Sequence, residues 1–256
     1  MFGMEASAMS ETDPRKTSMD DGAPPPSRDQ ADELAARLQA WPSAFASFQN
    51  VPFLALNPGY SNDITPQGIY AFPADWIAMI AAGQKDLGAR GRLSWQGCVR
   101  RSHVHMFEVE GQMFDLQACR SYVQDATRLR EWAAPHYPEV DGVIASWINN
   151  GRPTHGTDLD GQRLLMMTEA VVDRILGIDR DQEAPYRTHP DKPARWRELF
   201  LAMGYVGLVD RAHLLTGSDF PHQAAVFDEA AIRVLDAFEN PCAAAVAHSP
   251  SPRRPF

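Results

Sequence analysis

Apolar residues recur at intervals of three and four in several parts of the chain, the spacing of one buried helix face. This spacing predicts helices in residues 28–41, 74–83, 162–177 and 191–205. Pro42 is expected to end the first, and Gly83, Gly177 and Gly204 the other three. A closing helix is expected after Asp228, a residue type that caps helix N-termini.

Short apolar runs between these stretches predict strands at residues 51–59, 68–72, 205–210 and 223–227. Residues 103–116 alternate over two runs joined at Gly111 and Gln112, which predicts a hairpin. His103, His105, Phe107 and Val109 would share one face of that hairpin. Because helices and strands mix without a regular βαβ order, we expect an α+β fold, with a mostly antiparallel, split sheet flanked by helices.

The two ends of the chain differ from its centre. Residues 1–28 are rich in Ser, Asp, Pro and Met, and the C-terminal stretch in Ala, Ser, Pro and Arg. Segments of this composition have too few large apolar side chains to offset the entropy of ordering. We therefore expect a disordered leader at 1–28, one domain at 29–241 and a disordered tail at 242–256.

Composition narrows the function classes. Hydrophobic residues at 44% and charged residues at 22% are typical of a soluble globular protein. A formal charge of −9 opposes general nucleic-acid binding, which needs a basic excess. No apolar run is long enough to span a membrane, and the leader lacks a signal-peptide core. We expect a cytoplasmic protein, with delivery into another cell left open.

Histidines and acids offer two metal hypotheses. His155, Asp158 and Asp160 lie close together, but Asp-x-Asp before Gly161 is also typical of a helix cap, which we favour. His103 and His105 would project on one side of a strand, yet no third ligand is evident. We expect no metal.

Arginines gather in the glycine-rich stretch 88–103, which we interpret as a loop whose guanidinium groups either bind phosphate or form a solvated surface. The three cysteines, Cys98, Cys119 and Cys242, are too widely spaced for a zinc motif. Neither a catalytic-serine motif nor a phosphate-binding GxxxxGK[ST] loop is present.

Two distant stretches carry a family resemblance: "LALNPGYSNDITPQGIYAFP" and "MGYVGLVDRAHLLTGSDFPHQAAVFDEAAIRVLDAF". Together they resemble ADP-ribosyltransferase-like domains encoded by phages, plasmids and bacterial toxin loci. In that group the tyrosine of a Gly-Ile-Tyr strand stacks on the nicotinamide of NAD. The later stretch is similar to a segment containing Glu-Pro-x-Gln before a strand.

The resemblance implies a site. Tyr70 would be the aromatic platform, Gly68 would form the turn beside it, and Asn57 would grip NAD. Phe220 stands where the family has its acid, so Asp219 and Gln223 are the candidate catalytic residues.

The implied function is an NAD-using transferase that modifies a macromolecule, expected to be a protein, as a phage or bacterial effector does. NAD would be the substrate. The alternative is a catalytically silent domain of the same fold that acts as a binding or structural module. A metal-dependent hydrolase using His155, Asp158 and Asp160 is the third hypothesis.

Overall fold

A computed structural model of the chain describes residues 25–57, 66–116, 122–149, 160–178, 189–210 and 223–243. The helices in these ranges are α1 Arg28–Gln39, α2 Ala74–Ala81, α3 Ala89–Val99, α4 Tyr122–Ala133, α5 Asp141–Asn149, α6 Asp160–Leu176 and α7 Lys192–Ala202. The strands are β1 Phe45–Gln49, β2 Ile69–Pro73, β3 His103–Val109, β4 Met113–Asp115, β5 Gly207–Asp210, β6 Gln223–Val226 and β7 Ile232–Glu239. Short 3-10 turns occupy Pro138–Val140 and Glu229–Ala231.

The strands form one seven-stranded sheet in the order β4-β5-β6-β2-β1-β3-β7. Only β4 and β5 run parallel, and every other neighbouring pair is antiparallel. The pairing between neighbouring strands is shortest between β1 and β2. Two residue pairs join the halves of the sheet there, Phe45 with Pro73 and Ala46 with Phe72. The predicted α+β class with a mostly antiparallel sheet is confirmed.

Helices cover one face of this sheet in two groups. Tyr70 and Phe72 lie two residues apart on β2 and therefore point to the same side, the helix-covered face. Tyr70 packs against the first core, formed with α4–α7, whereas Phe72 belongs to the second core, formed with α1–α3. Ile69 and Ala71 point to the opposite face, where they form a smaller apolar cluster with Phe107.

Local signals explain the helices that the sequence predicted. Ser27 and Gln30 form a reciprocal capping box at the start of α1. Gly83, Gly177 and Gly204 follow α2, α6 and α7 with positive φ, the conformation of a helix-ending glycine. None of the helices in the described ranges is long and apolar enough to cross a membrane.

The strand predicted at residues 51–59 is wrong in position. The strand in this region is β1, Phe45–Gln49, and among residues 50–57 only Asn57 forms a bridge, with Gly68. Pro52 has no N–H for a ladder, and side chains bind the backbone of Val51 and Ala55 instead.

The predicted hairpin at 103–116 is also wrong. β3 pairs with β1 and β7, whereas β4 lies at the far edge of the sheet beside β5. The longer partners outcompete a local turn at Gly111, because each added residue pair contributes cross-strand packing. The predicted alternation of side chains along β3 is nevertheless observed, since His105 and Phe107 both project to the face opposite the helices.

The predicted closing helix is a strand. Asp228 does act as a cap, but only for the 3-10 turn, accepting a hydrogen bond of 2.9 Å from the Ala230 N–H. The chain then continues as β7 along β3 from Ile232. Tertiary pairing has overridden the local pattern, as it does in segments that alternate and also fit a helix.

The start of α6 packs directly on the end of β4. A Cβ atom added at Gly161 would lie 2.2 Å from the carbonyl oxygen of Leu116, so only glycine fits. Gly142, in α5, has nothing within 4 Å of the corresponding position.

We therefore expect opposite effects from two glycine-to-alanine substitutions in helices. Gly161→Ala should lower the free energy of unfolding by about 1–3 kcal/mol, because backbone must move to admit the methyl group. Gly142→Ala, the matched control, should raise it by about 0.5–1 kcal/mol through helix propensity. Urea unfolding followed by circular dichroism measures both, and equal effects would contradict the packing at Gly161.

Candidate functional site

The described parts of the two stretches that carry the family resemblance meet where β2 pairs with β6, near the centre of the sheet. Asn57 and Gly68 exchange two backbone hydrogen bonds, with N–O distances of 2.9 and 3.3 Å. Two residues further along β2, Tyr70 is directly opposite Ala225 of β6. Residues far apart in sequence thus meet on adjacent strand segments.

Four of the five predicted site residues share the helix-covered face. A Cβ at Gly68 would lie 3.4 Å from both Ala225 Cβ and the Phe227 ring, which fixes the direction of this side of β2. Tyr70 follows Gly68 by two residues, and Asn57 is opposite Gly68, so both project to the same side. Gln223 precedes Ala225 by two residues and does so as well.

Tyr70 is held in one orientation. Its ring is half-buried against the first core, and its hydroxyl donates a hydrogen bond to the Pro66 carbonyl. Its own carbonyl oxygen accepts a hydrogen bond of 2.7 Å from the Ser47 hydroxyl. A fixed aromatic ring can act as a stacking surface without the entropy cost of ordering it.

Helix α7 is hydrogen-bonded to the backbone at the ends of both β2 and β6. The Pro193 carbonyl accepts a hydrogen bond of 2.8 Å from the N–H of Gln67, just before β2. Arg197 Nε donates to the carbonyl of Phe227, just after β6, at 2.6 Å. One helix therefore fixes the positions of β2 and β6 relative to each other.

Gln223 lies next to a carboxylate that the sequence interpretation missed. It is directly opposite Asp210 of β5, and both side chains are buried, with 6% and 1% exposed. Asp210 projects to the helix-covered face because it is paired with Gln223 and follows the core residue Leu208 by two. The alternation within "GLVD" could have indicated from the sequence that Asp210 shares a face with Leu208. Asp219, the other predicted catalytic residue, lies outside the described residues.

The histidine pair lies on the other side of the sheet. His105 is buried, and its Nε2–H donates to the Val51 carbonyl at 3.1 Å. The His103 ring stacks on it with a centroid distance of 6.4 Å and shares a hydrogen bond with Ser102. Among the described residues, no three His, Cys, Asp or Glu side chains are arranged to hold a metal ion.

The two remaining hypotheses from the sequence concern the segment with His155, Asp158 and Asp160 and the arginine-rich stretch 88–103. His155 and Asp158 lie outside the described residues, and α6 begins at Asp160. The arginine-rich stretch is not a loop, because most of it forms α3. The exposed Arg92 on this helix pairs with Asp86 at 3.9 Å, as a solvated surface charge does.

The described cysteines are not nucleophiles at neutral pH. Burial raises the pKa of the Cys98 thiol to about 12, against a smaller opposing effect of Arg101. Burial also raises the pKa of Cys242 to about 11, helped by Glu33. Both therefore stay protonated, and only the thiolate is a strong nucleophile.

Comparison of the chain with models of protein families, with curated proteins and with solved structures gives no significant match. The geometry of Asn57, Gly68, Tyr70, Asp210 and Gln223 is therefore the basis for assigning a function.

The raised thiol pKa values predict slow alkylation. In a Cys119→Ser variant of the folded protein, iodoacetamide at about pH 8 should modify both thiols more slowly than in the unfolded chain, Cys98 roughly a thousandfold and Cys242 roughly a hundredfold. Mass spectrometry over time measures both rates. Rapid modification of either cysteine in the folded protein would show that its thiol is ionised and accessible.

Proposed function

We propose that this protein is an NAD-dependent ADP-ribosyltransferase-like enzyme that modifies a macromolecular target, expected to be a protein, as a phage or bacterial effector does. One observation carries the proposal. Asn57, Gly68, Tyr70 and Gln223, which come from two distant stretches, lie on one face of adjacent chain segments. If the resemblance were accidental, there would be no reason for these residues to lie together in the fold.

The chemistry requires three kinds of group at one place. The bond between ribose C1′ and the nicotinamide nitrogen breaks, and its electron pair leaves with nicotinamide. A lone pair of the acceptor then forms the new bond to C1′, and the acceptor loses its proton. An aromatic platform, a hydrogen-bonding grip and a negative charge near the cationic ribose promote these steps.

The described residues can supply each of these groups. Tyr70 offers the fixed ring for nicotinamide, and the exposed Asn57 offers an amide at the end of the same strand pairing. Gln223 can hydrogen-bond the ribose hydroxyls. Asp210 offers the carboxylate, since it lies opposite Gln223 on the same face as Tyr70. Asp219 remains a second predicted acid.

A non-catalytic binding module is the second candidate, and one observation favours it: the candidate on β6 is an amide, Gln223, rather than an acid. Such a module would bind NAD or a related nucleotide without releasing nicotinamide. The proposed setting is the cytoplasm of the producing or a recipient cell.

NAD binding tests the platform. Isothermal titration calorimetry should detect micromolar binding that Tyr70→Ala weakens at least about tenfold, since a base–aromatic stack is lost. Tyr137→Ala is the matched control, because Tyr137 is also half-buried against the first core but lies in the helical group. Equal loss in both variants, or no binding by the unmodified protein, would overturn the proposed site.

Nicotinamide release tests the acid. Asp210→Asn should lower kcat for NAD hydrolysis by about 10²–10³ while changing the Kd for NAD little, because the carboxylate acts on developing charge. Asp115→Asn, on β4 and projecting to the opposite face, is the control. A variant with unchanged kcat would remove Asp210 from the mechanism and leave Asp219. Binding without any release by the unmodified protein would favour the binding module.

A further inference from the structure

The side chain of Gln49, at the end of β1, takes the place of a strand partner for the segment 51–57. Its Oε1 accepts a hydrogen bond of 3.1 Å from the Ala55 N–H. Its Nε2 donates to the Ala55 carbonyl at 3.2 Å. These two bonds reproduce the exchange between paired residues of an antiparallel ladder.

The same amide is connected to β2. The second hydrogen of Gln49 Nε2 is donated to the Ser47 hydroxyl at 3.1 Å, and that hydroxyl donates to the Tyr70 carbonyl at 2.7 Å. Only one orientation of the amide satisfies all of these contacts, because a flipped amide would direct its NH₂ at the Ala55 N–H. Ser47 and Gln49 are 0% and 5% exposed, so a lost partner would leave a buried polar group unsatisfied.

Further contacts fasten the 51–57 segment on either side of Ala55. His105 Nε2–H donates to the Val51 carbonyl, and Leu54 and Leu56 pack in the apolar cluster of the opposite face. The segment ends at Asn57, whose backbone pairs with Gly68. The hydrogen bonds of Gln49 therefore reach both sides of the candidate site, Asn57 along the chain and Tyr70 through Ser47.

We propose that Gln49 is a positioning residue that, through Ala55 and Ser47, holds Asn57 and Tyr70 in the arrangement that binds NAD. This inference rests on the proposed function. Gln49 itself lies on the opposite face of the sheet, next to His103 in register, and does not touch the ligand. It acts through the backbone of the two residues that do.

Gln49→Glu is the sharpest test because it preserves size and removes the two donated hydrogen bonds. Asn240→Asp is a matched control: Asn240 is also a buried amide, and it donates to the carbonyls of Val99 and Arg101 beside β3 and β7. Both variants place a carboxylate opposite carbonyl oxygens, but only one is connected to Asn57 and Tyr70.

Two readouts separate positioning from general destabilisation. In Gln49→Glu, hydrogen exchange of the 51–57 peptide should rise about tenfold or more, while that of 223–226 stays unchanged. The Kd for NAD should rise about tenfold to a hundredfold. As the pH falls toward about 5, protonation of the introduced carboxyl returns one donor, so the affinity should recover relative to the unmodified protein. Asn240→Asp should bind NAD normally.

The outcomes distinguish the inference from the function on which it rests. Normal NAD affinity in Gln49→Glu, or equal weakening in Asn240→Asp, would overturn the positioning role while the proposed function stands. Absence of NAD binding by the unmodified protein overturns the function, and with it the role of Gln49 toward NAD. Exchange that stays unchanged in the 51–57 peptide of Gln49→Glu would contradict the hydrogen-bonded support in either case.

Discussion

The two hydrogen-bonding edges of β2 determine how the rest of the molecule is arranged. One edge is taken up by β6 along Ile69, Tyr70 and Ala71. The other is divided, because Gly68 pairs with Asn57 whereas Phe72 and Pro73 pair with β1. Because β1 and Asn57 are close in sequence and both pair with this edge of β2, the chain must turn between them. Residues 51–56 make that turn over the face opposite the helices, where Leu54 and Leu56 pack. Its backbone lacks a ladder there, which is why polar side chains of β1 and β3 bind it.

The sequence predicts the helices better than it predicts the strand partners. α1, α2, α6 and α7 follow from apolar spacing and from glycines at their ends, both of which are local properties. The errors at residues 51–59, 103–116 and 228–238 share a different cause. Each concerns which distant segment a strand pairs with, and short alternating runs do not encode that choice. β3 therefore leaves the expected hairpin for β1 and β7.

In the candidate site, too, local sequence patterns identify some residues, whereas others depend on long-range pairing. Tyr70, Gly68 and Gln223 could be named from the sequence because a resemblance to local motifs identified them. Asp210 was missed, because alternation along β5 indicates only that it shares a face with Leu208, whereas the register that sets it opposite Gln223 is a property of the folded sheet. Gln49 was equally hidden: nothing in "FASFQN" indicates that this amide would bind the backbone of Ala55. Only the folded arrangement relates these side chains to the motif residues.

The order of strands in the sheet has a consequence for how the chain folds as it is made. The central strand β2 receives its neighbour β6, and β3 receives its neighbour β7, from the last described range of the chain. The parallel pairing of Met113 with Gly207 likewise spans all of α4–α7. Non-local pairing of this kind slows folding, because loop closure precedes the contacts that offset it. During synthesis on a ribosome, β2 and β3 therefore keep unpaired edges until residues 223–239 have emerged, so the sheet cannot be completed before nearly all of the described chain has been made.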